Sequence, residues 1–371
     1  MTADSNKAAS GRLVSLDAFR GFTIAAMIMV NYPGSWDHVF PPLLHEDWHG
    51  ITPTDLIYPF FIFIVGVSVV LAYTKRLEAG LPKKDMYSKI VSRSIKIFAV
   101  GIFLALFPMF DFAGLRVAGV LQRIALVFAA CAFLYLNTGW KAQAWTVGVI
   151  LIAYWLAMTL IPTPGMGKPM LEPGINLAAW IDMQLLPGRM WQGDWDPEGI
   201  LSTFPAIVTG ITGMLAGRLI VSGISRERIV VWLFVAGFIS AILGEAWGWV
   251  FPINKNIWTS SYVLYTSGLA SMTLATAIFL IDILGYRRGT KFGVIYGANA
   301  ITAYVLAGVL SGLFYRIPYW GGESLNHHFV DALWSAGLDP RIASLIYALM
   351  YVFVIFIPVY ILYRKKIFIK L

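Results

Sequence analysis

Cysteine and charge are scarce in this chain. Its 371 residues hold one cysteine, Cys131, and only 13% are charged. A single thiol rules out an internal disulfide and a cysteine-built metal site. Soluble domains carry about 25% charged residues, so an ordinary water-facing surface is excluded too. Histidine is limited to five positions: 38, 45, 49, 327 and 328. His38, His45 and His49, with Asp47, could ligate zinc in composition, but their spacing matches neither a helical i, i+4 pair nor a known cluster, so no metal is expected. Adjacent His327 and His328 read as solvated. Residues 1–12 have no apolar core followed by a small-residue cleavage site, and no signal peptide is expected.

What the chain has is hydrophobicity, at 58% of residues and a mean hydropathy of +0.71. Its 24 Phe, 17 Tyr and 14 Trp suit aromatic belts at two membrane interfaces. Ten windows approach the roughly 20 residues that cross a bilayer: 15–33, 53–73, 90–109, 118–137, 142–161, 199–221, 229–250, 258–281, 293–314 and 342–363. The expected fold is therefore an all-α integral membrane protein of about ten transmembrane helices in one bundle. A net charge of +8 would suggest nucleic acid in a soluble protein, but its distribution explains it. Twenty of the 28 basic residues, from Lys7 and Arg12 to Lys370, fall on one set of alternating segments, and six fall on the other. This asymmetry predicts both termini in the cytoplasm and no nucleic-acid partner. Residues 1–14 form the expected cytoplasmic tail and 15–371 a single membrane domain. The long outer segments 162–198 and 315–341 exceed ordinary loop length. The first, with Trp180, Trp191 and Trp195, is expected to fold as a cap. No internal repeat and no matched pair of broken spans is evident, which counts against inverted-repeat transporters.

Charged groups inside bilayer helices cost roughly 2.5–3.5 kcal/mol and by default mark functional cavities. Asp17 and Arg20 lie three residues apart on one face near the inner end of the first span; an intrahelical ion pair and a ligand contact are equal readings. Asn31 ends that span, His45 follows in the first outer loop, and Asp55 opens the second span, either as a helix cap or as a functional carboxylate. Gln122 and Arg123 sit near the outer end of the fourth span, and Arg123 is expected to pair with a carboxylate. Asp196, Glu198 and Glu245 lie at outer helix ends. Asn254, Lys255 and Asn256 form an outer loop before Trp258. Most of these converge on the outer half, where any chemistry is expected.

The segments RLVSLDAFRG at 12–21, VNYPG at 30–34 and HEDWHGITPTDLIYPFFIFIVG at 45–66 resemble the opening of the heparan-alpha-glucosaminide N-acetyltransferase family. Similar matches are RVAGVLQRIAL at 116–126, DPEGILSTFPAIVTGITGMLAGR at 196–218, FPINKNIWTSSYVL at 251–264 and, more loosely, GANAITAYV at 297–305. The resemblance runs through nine of the ten expected spans. The large lumenal N-terminal extension and extra span of animal lysosomal members are not expected here.

The resemblance implies a transmembrane acyltransferase of a bacterial inner membrane, taking an acetyl group from cytosolic acetyl-CoA to the amine of a glucosamine-type sugar or glycan on the other side. No metal is implied, and a homodimer is compatible with it. By motif, His45 matches the family's catalytic histidine and Asn31 its accompanying asparagine; Asp55 is a candidate to orient His45. A neutral imidazole can take a proton from the attacking amine, or become transiently acetylated, while Asn31 could donate to the thioester oxygen. Asp17, Arg20, Arg93, Gln122, Arg123 and Arg288 are the expected donor-binding residues, with Lys89 a further phosphate partner. Glu198, Glu245, Asn254, Lys255, Asn256 and Trp258 are expected to bind the acceptor. The rival reading is a secondary sugar transporter with Asp17, Asp55 and Glu245 as proton-coupling carboxylates.

Overall fold

The computed structural model describes residues 13–369; Lys7 and Arg12 of the expected tail, and Lys370, lie outside them. Among the described residues the chain is helical throughout, with one isolated antiparallel bridge between Arg116 and Gly188. The α-helices are α1 (Val14–Asn31), α2 (Ile57–Glu78), α3 (Lys83–Leu106), α4 (Val120–Asn137), α5 (Trp140–Leu160), α6 (Leu177–Leu185), α7 (Ile200–Ile220), α8 (Arg226–Gly248), α9 (Ser260–Ala277), α10 (Thr290–Ala298), α11 (Ala300–Arg316), α12 (Leu325–Ser335) and α13 (Pro340–Arg364).

Helices occupy all ten predicted windows, although two of the ten depart from a simple apolar rod. Among the described residues, eight helices are long and apolar enough to cross a membrane, or up to nine if α10 and α11 count as one span. That pair is bent by 80°, so the ninth window is a broken span. The side chain of Asn299, at the break, donates to the Ile367 carbonyl (3.1 Å) and accepts from Ile369 N–H (2.9 Å). The side chain at the break is thus tied to the C-terminal segment. α3 has the length but carries Lys89, Arg93 and Lys96 within it. The two long connections are folded as well: α6 lies in the first, and the second contains α12.

Glycine sets the closest helix approaches. A Cβ at Gly66 of α2 would lie 1.9 Å from the Gly210 carbonyl oxygen of α7, and one at Gly21 of α1 would lie 1.7 Å from that of Gly293 in α10. Side chains larger than hydrogen are incompatible with these contacts, the small-residue packing that membrane helices use in place of a hydrophobic drive. The largest buried apolar cluster joins α1, α2, α4, α7 and α9 with parts of α10–α13.

Four helices of this core start on one face. Tyr58 of α2 donates to the Val120 carbonyl at the start of α4 (3.3 Å), Arg123 of α4 reaches Gly199 before α7 (3.1 Å), and Tyr262 of α9 donates to the Asp55 carbonyl before α2 (2.7 Å). The N-termini of α2, α4, α7 and α9 therefore gather together. Their dipoles add a field that favours negative charge there. Hereafter this is the site face.

Candidate active site

The local sequence ThrProThrAsp at 52–55 builds the first element of the site. Thr52 caps a short 3-10 turn, Pro53–Leu56, that runs into α2, with Pro53 at its first position and Asp55 completing a capping box. Asp55 Oδ2 accepts from the backbone N–H groups of Thr52 and Glu46, each at 3.0 Å. Thr52 Oγ donates to the Leu44 carbonyl (2.7 Å), closing the loop that carries His45. One Asp55 oxygen thus caps the helix, and the other faces a histidine.

His45 Nδ1 lies 2.7 Å from Asp55 Oδ1. A carboxylate that already accepts backbone donors accepts here too, so Nδ1 is the donor in this contact. Asp55 is 1% exposed at its side chain and His45 42% exposed. An imidazole fixed through one nitrogen by a buried carboxylate, with its ring exposed, is the arrangement of a general base or a nucleophile.

The third member comes from the segment between α8 and α9. Gly50 N–H donates to the Ile253 carbonyl (2.8 Å), and Asn256 Nδ2 reaches the Asp47 carbonyl (3.4 Å). Buried Asn254 accepts from Ile257 N–H (3.0 Å) and contacts His49 Nδ1 (3.2 Å). These contacts bring Lys255 Nζ to 3.2 Å from Asp55 Oδ1, and to 2.8 and 3.3 Å from His45 Nδ1 and Nε2. Burial pulls the Lys255 ammonium below its usual range, with Asp55 opposing. Burial likewise lowers His49.

Beneath this layer lies Trp258, 1% exposed and with a positive φ of 52°. Its Nε1 donates to Thr209 Oγ (3.1 Å), and its ring meets Tyr58 and Tyr262 edge-on, each at 5.2 Å. Arg123 lies over the same indole at 5.2 Å and donates to the Gly199 carbonyl and Ser202 Oγ. The carboxylate partner expected for Arg123 is absent among the described residues; carbonyl, hydroxyl and ring satisfy one end of the guanidinium, while Nε and NH1 have no hydrogen-bond partner. Beside it, Asp182 caps α7 through Ile200 N–H (2.8 Å), and burial pushes its carboxyl up to about 6.

A second ionic group was not legible as such in the sequence. Arg116 grips Asp196 with Nε and NH2 at 2.6 Å each, also contacts Glu198, and lies 5.0 Å over the Trp191 ring. With Trp48 packed edge-on against Trp195 at 5.0 Å and donating to the Leu171 carbonyl (2.9 Å), these contacts fold residues 162–198 over the site face as the expected cap.

The remaining expected residues lie elsewhere. Asn31 ends α1, and no hydrogen bond joins it to His45 or Asp55 among the described residues. Arg20 pairs with Asp17 at 3.5 Å and also reaches Ser68 (2.7 Å) and the Gly297 carbonyl (3.4 Å), tying α1 to α2 and α10. Gln122 packs against Gly101 of α3. Arg93 lies over Phe128 at 4.7 Å. Arg288 and Glu245 are exposed, Glu245 near the end of α8. His38 lies near Ser35 (3.3 Å) and Trp334. His327 is half exposed on α12, between Asp331 (3.1 Å) and Glu323 (3.5 Å). Among the described residues no group of three His, Cys, Asp or Glu is placed to hold a metal ion.

Residues 12–244 match the family model described as heparan-alpha-glucosaminide N-acetyltransferase, catalytic. The human protein named heparan-alpha-glucosaminide N-acetyltransferase is 30% identical over 97% of this chain and 60% of its own length. The mouse protein of that name is 28% identical over 99% of this chain and 62% of its own. The chain thus spans about three fifths of the curated relatives it matches. The matched region contains His45, Asp55, Arg123 and Glu198, and on this match the chain belongs to the heparan-alpha-glucosaminide N-acetyltransferase catalytic family.

Proposed function

We propose that this multi-pass membrane protein is an N-acetyltransferase that takes an acetyl group from cytosolic acetyl-CoA to the amine of a glucosamine-type sugar on the periplasmic side of a bacterial inner membrane. Both termini are then cytoplasmic and the site face is periplasmic. The observation that carries the reading is the 2.7 Å His45–Asp55 contact on a half-exposed imidazole, in a chain of this family.

The acceptor amine loses one proton to solvent before it reacts. Its lone pair then attacks the thioester carbon, the carbonyl pair moves onto oxygen, and His45 Nε2 takes one proton from the new ammonium. As the carbonyl reforms, the C–S bond breaks, and the sulfur leaves with the pair and takes the proton from Nε2. The products are the sugar amide and free CoA thiol. Asp55 holds the Nδ1–H tautomer and stabilises the transient imidazolium. Asn31 donates to the developing oxyanion, a role worth about 2.7–4 kcal/mol in known sites.

CoA phosphates approach from the face opposite the site, where Arg20, Arg93 and Arg288 are the assigned partners and Asp17 orients Arg20 (3.5 Å). Gln122 and Arg123 lie toward the site face and line the path of the pantetheine arm. At the acceptor end, Glu198 and Asn256 are assigned to the sugar. Asn254 and Trp258 act indirectly, since both are buried and shape the Lys255 segment.

Sealed proteoliposomes with acetyl-CoA on the side of Lys84 and glucosamine on the side of Lys168 test this. Stoichiometric release of free CoA and N-acetylglucosamine on opposite sides is expected. Glucosamine uptake without CoA release would replace the reading with transport. Purified protein is also expected to melt at higher temperature with CoA, by about 2.7 kcal/mol at 100 times Kd.

A further inference from the structure

Lys255 was expected to bind the acceptor, but its place is more specific than that. Its ammonium has three N–H groups, and Asp55 Oδ1 takes one at 3.2 Å. His45 Nδ1, although 2.8 Å away, cannot accept, because it already donates to the same carboxylate oxygen. Closeness to both ring nitrogens, 2.8 and 3.3 Å, sets Nζ beside the imidazole and off the axis of a single lone pair. No carbonyl, hydroxyl or second carboxylate among the described residues accepts from the other two N–H groups. The Lys255 side chain is 17% exposed, Asp55 only 1%. The two groups open to a substrate are therefore an imidazole and an ammonium, with the carboxylate behind both.

We propose that Lys255 is a catalytic residue whose ammonium holds the acyl oxygen as it becomes the oxyanion of the tetrahedral intermediate. The assignment rests on the acetyltransferase reading and adds a charged donor to the oxyanion role proposed for Asn31. The attacking nitrogen must lie about 3 Å from Nε2, and its new bond to the acyl carbon places the oxygen only slightly farther off. An oxyanion donor must sit about 2.7–3.1 Å from that oxygen, so Nζ at 3.3 Å from Nε2 is within reach. As the N–C bond forms and the carbonyl pair moves onto oxygen, the ammonium meets a full negative charge. When the C–S bond breaks the pair returns, and Lys255 ends as it began, protonated. Hydrogen bonds from a charged donor are roughly twice as strong as neutral ones, and partial burial strengthens this one further. The N-termini of α2 and α9 add to the same field.

A residue that binds acceptor raises KM, whereas one that meets the charge only in the transition state lowers kcat. Lys255→Met is expected to lower kcat by about 10²–10³-fold, with KM for both substrates within about threefold and the CoA-induced melting shift retained. Lys255→Cys gives a second route, since the other cysteine, Cys131, is buried. Alkylation with 2-bromoethylamine restores an ammonium of lysine length and should restore kcat at least tenfold, and iodoacetamide, which adds a neutral amide, should not. Retained kcat in Lys255→Met, a change in KM alone, or no rescue by bromoethylamine overturns the proposal. An unmodified protein that transfers no acetyl group would instead overturn the acetyltransferase reading, and this assignment with it.

Discussion

His45 and His49 occupy the two ends of one short loop, and their surroundings differ in kind. At one end, His45 meets the carboxylate of Asp55 at 2.7 Å and the ammonium of Lys255, and 42% of its side chain is open. At the other, His49 meets the neutral amide of Asn254 at 3.2 Å, beside Trp48, which is packed on Trp195 under the cap. Both rings are exposed; one is held by ions, and the other by a neutral amide where two loops meet. Residue type and depth are shared, so the chemistry resides in the partners. A histidine becomes a candidate base here because a helix cap, formed for local reasons at Thr52–Asp55, presents its second oxygen to it.

Substitutions that exchange these surroundings test the contrast. The largest effect is expected from Asp55→Asn, because an amide can donate to Nδ1 and so leave the proton on Nε2. Acetyl transfer should fall by more than about 10²-fold, as it does when a triad carboxylate becomes an amide. The melting temperature should fall too, since the Lys255 ammonium loses its only carboxylate among the described residues. Asn31→Ala should lower transfer by about 10²-fold with no change in melting temperature, because its amide makes no hydrogen bond with the described residues that the fold would miss. His49→Ala should leave transfer within about tenfold but cost about 1–3 kcal/mol of stability, measured by thermal or denaturant unfolding, as Asn254 Nδ2 loses its acceptor.

The smallest effect is in acid. Burial holds His49 below its usual 6.5, so the fold favours the neutral ring. Its contribution to stability is fully present above pH 6.5 and lost as pH falls through the lowered value. Melting curves from pH 7 to 5 should show this loss in the unmodified protein and less of it in His49→Gln.

Much of this was readable from the chain. Unbroken apolar windows gave every long helix, because a membrane span is a local property of about 20 residues. The pairing of His45 with Asp55 was accessible because only ten residues separate them and a capping pattern lies at the second. Lys255 was placed near the site as an acceptor ligand, but its contact with His45 could not be read locally, since it spans 210 positions. Arg116 read as one more loop cation, and its grip on Asp196 across 80 positions left no local trace. The break at Asn299 falls in a window with neither proline nor an ionised residue at the bend; an asparagine within an apolar run was the only signal. The helix α12 was hidden by length, since eleven residues rich in polar side chains read as loop.

The central claim is that the ion-held ring, and not its neighbour, moves the acetyl group. Its most direct test is the rate of CoA release from acetyl-CoA and glucosamine by purified His45→Ala, measured beside His49→Ala and the unmodified protein, with melting temperatures and CoA-induced shifts recorded for each. The account predicts a loss of at least about 10²-fold in His45→Ala, with fold and CoA binding kept. Near-normal release by a folded His45→Ala protein would contradict it.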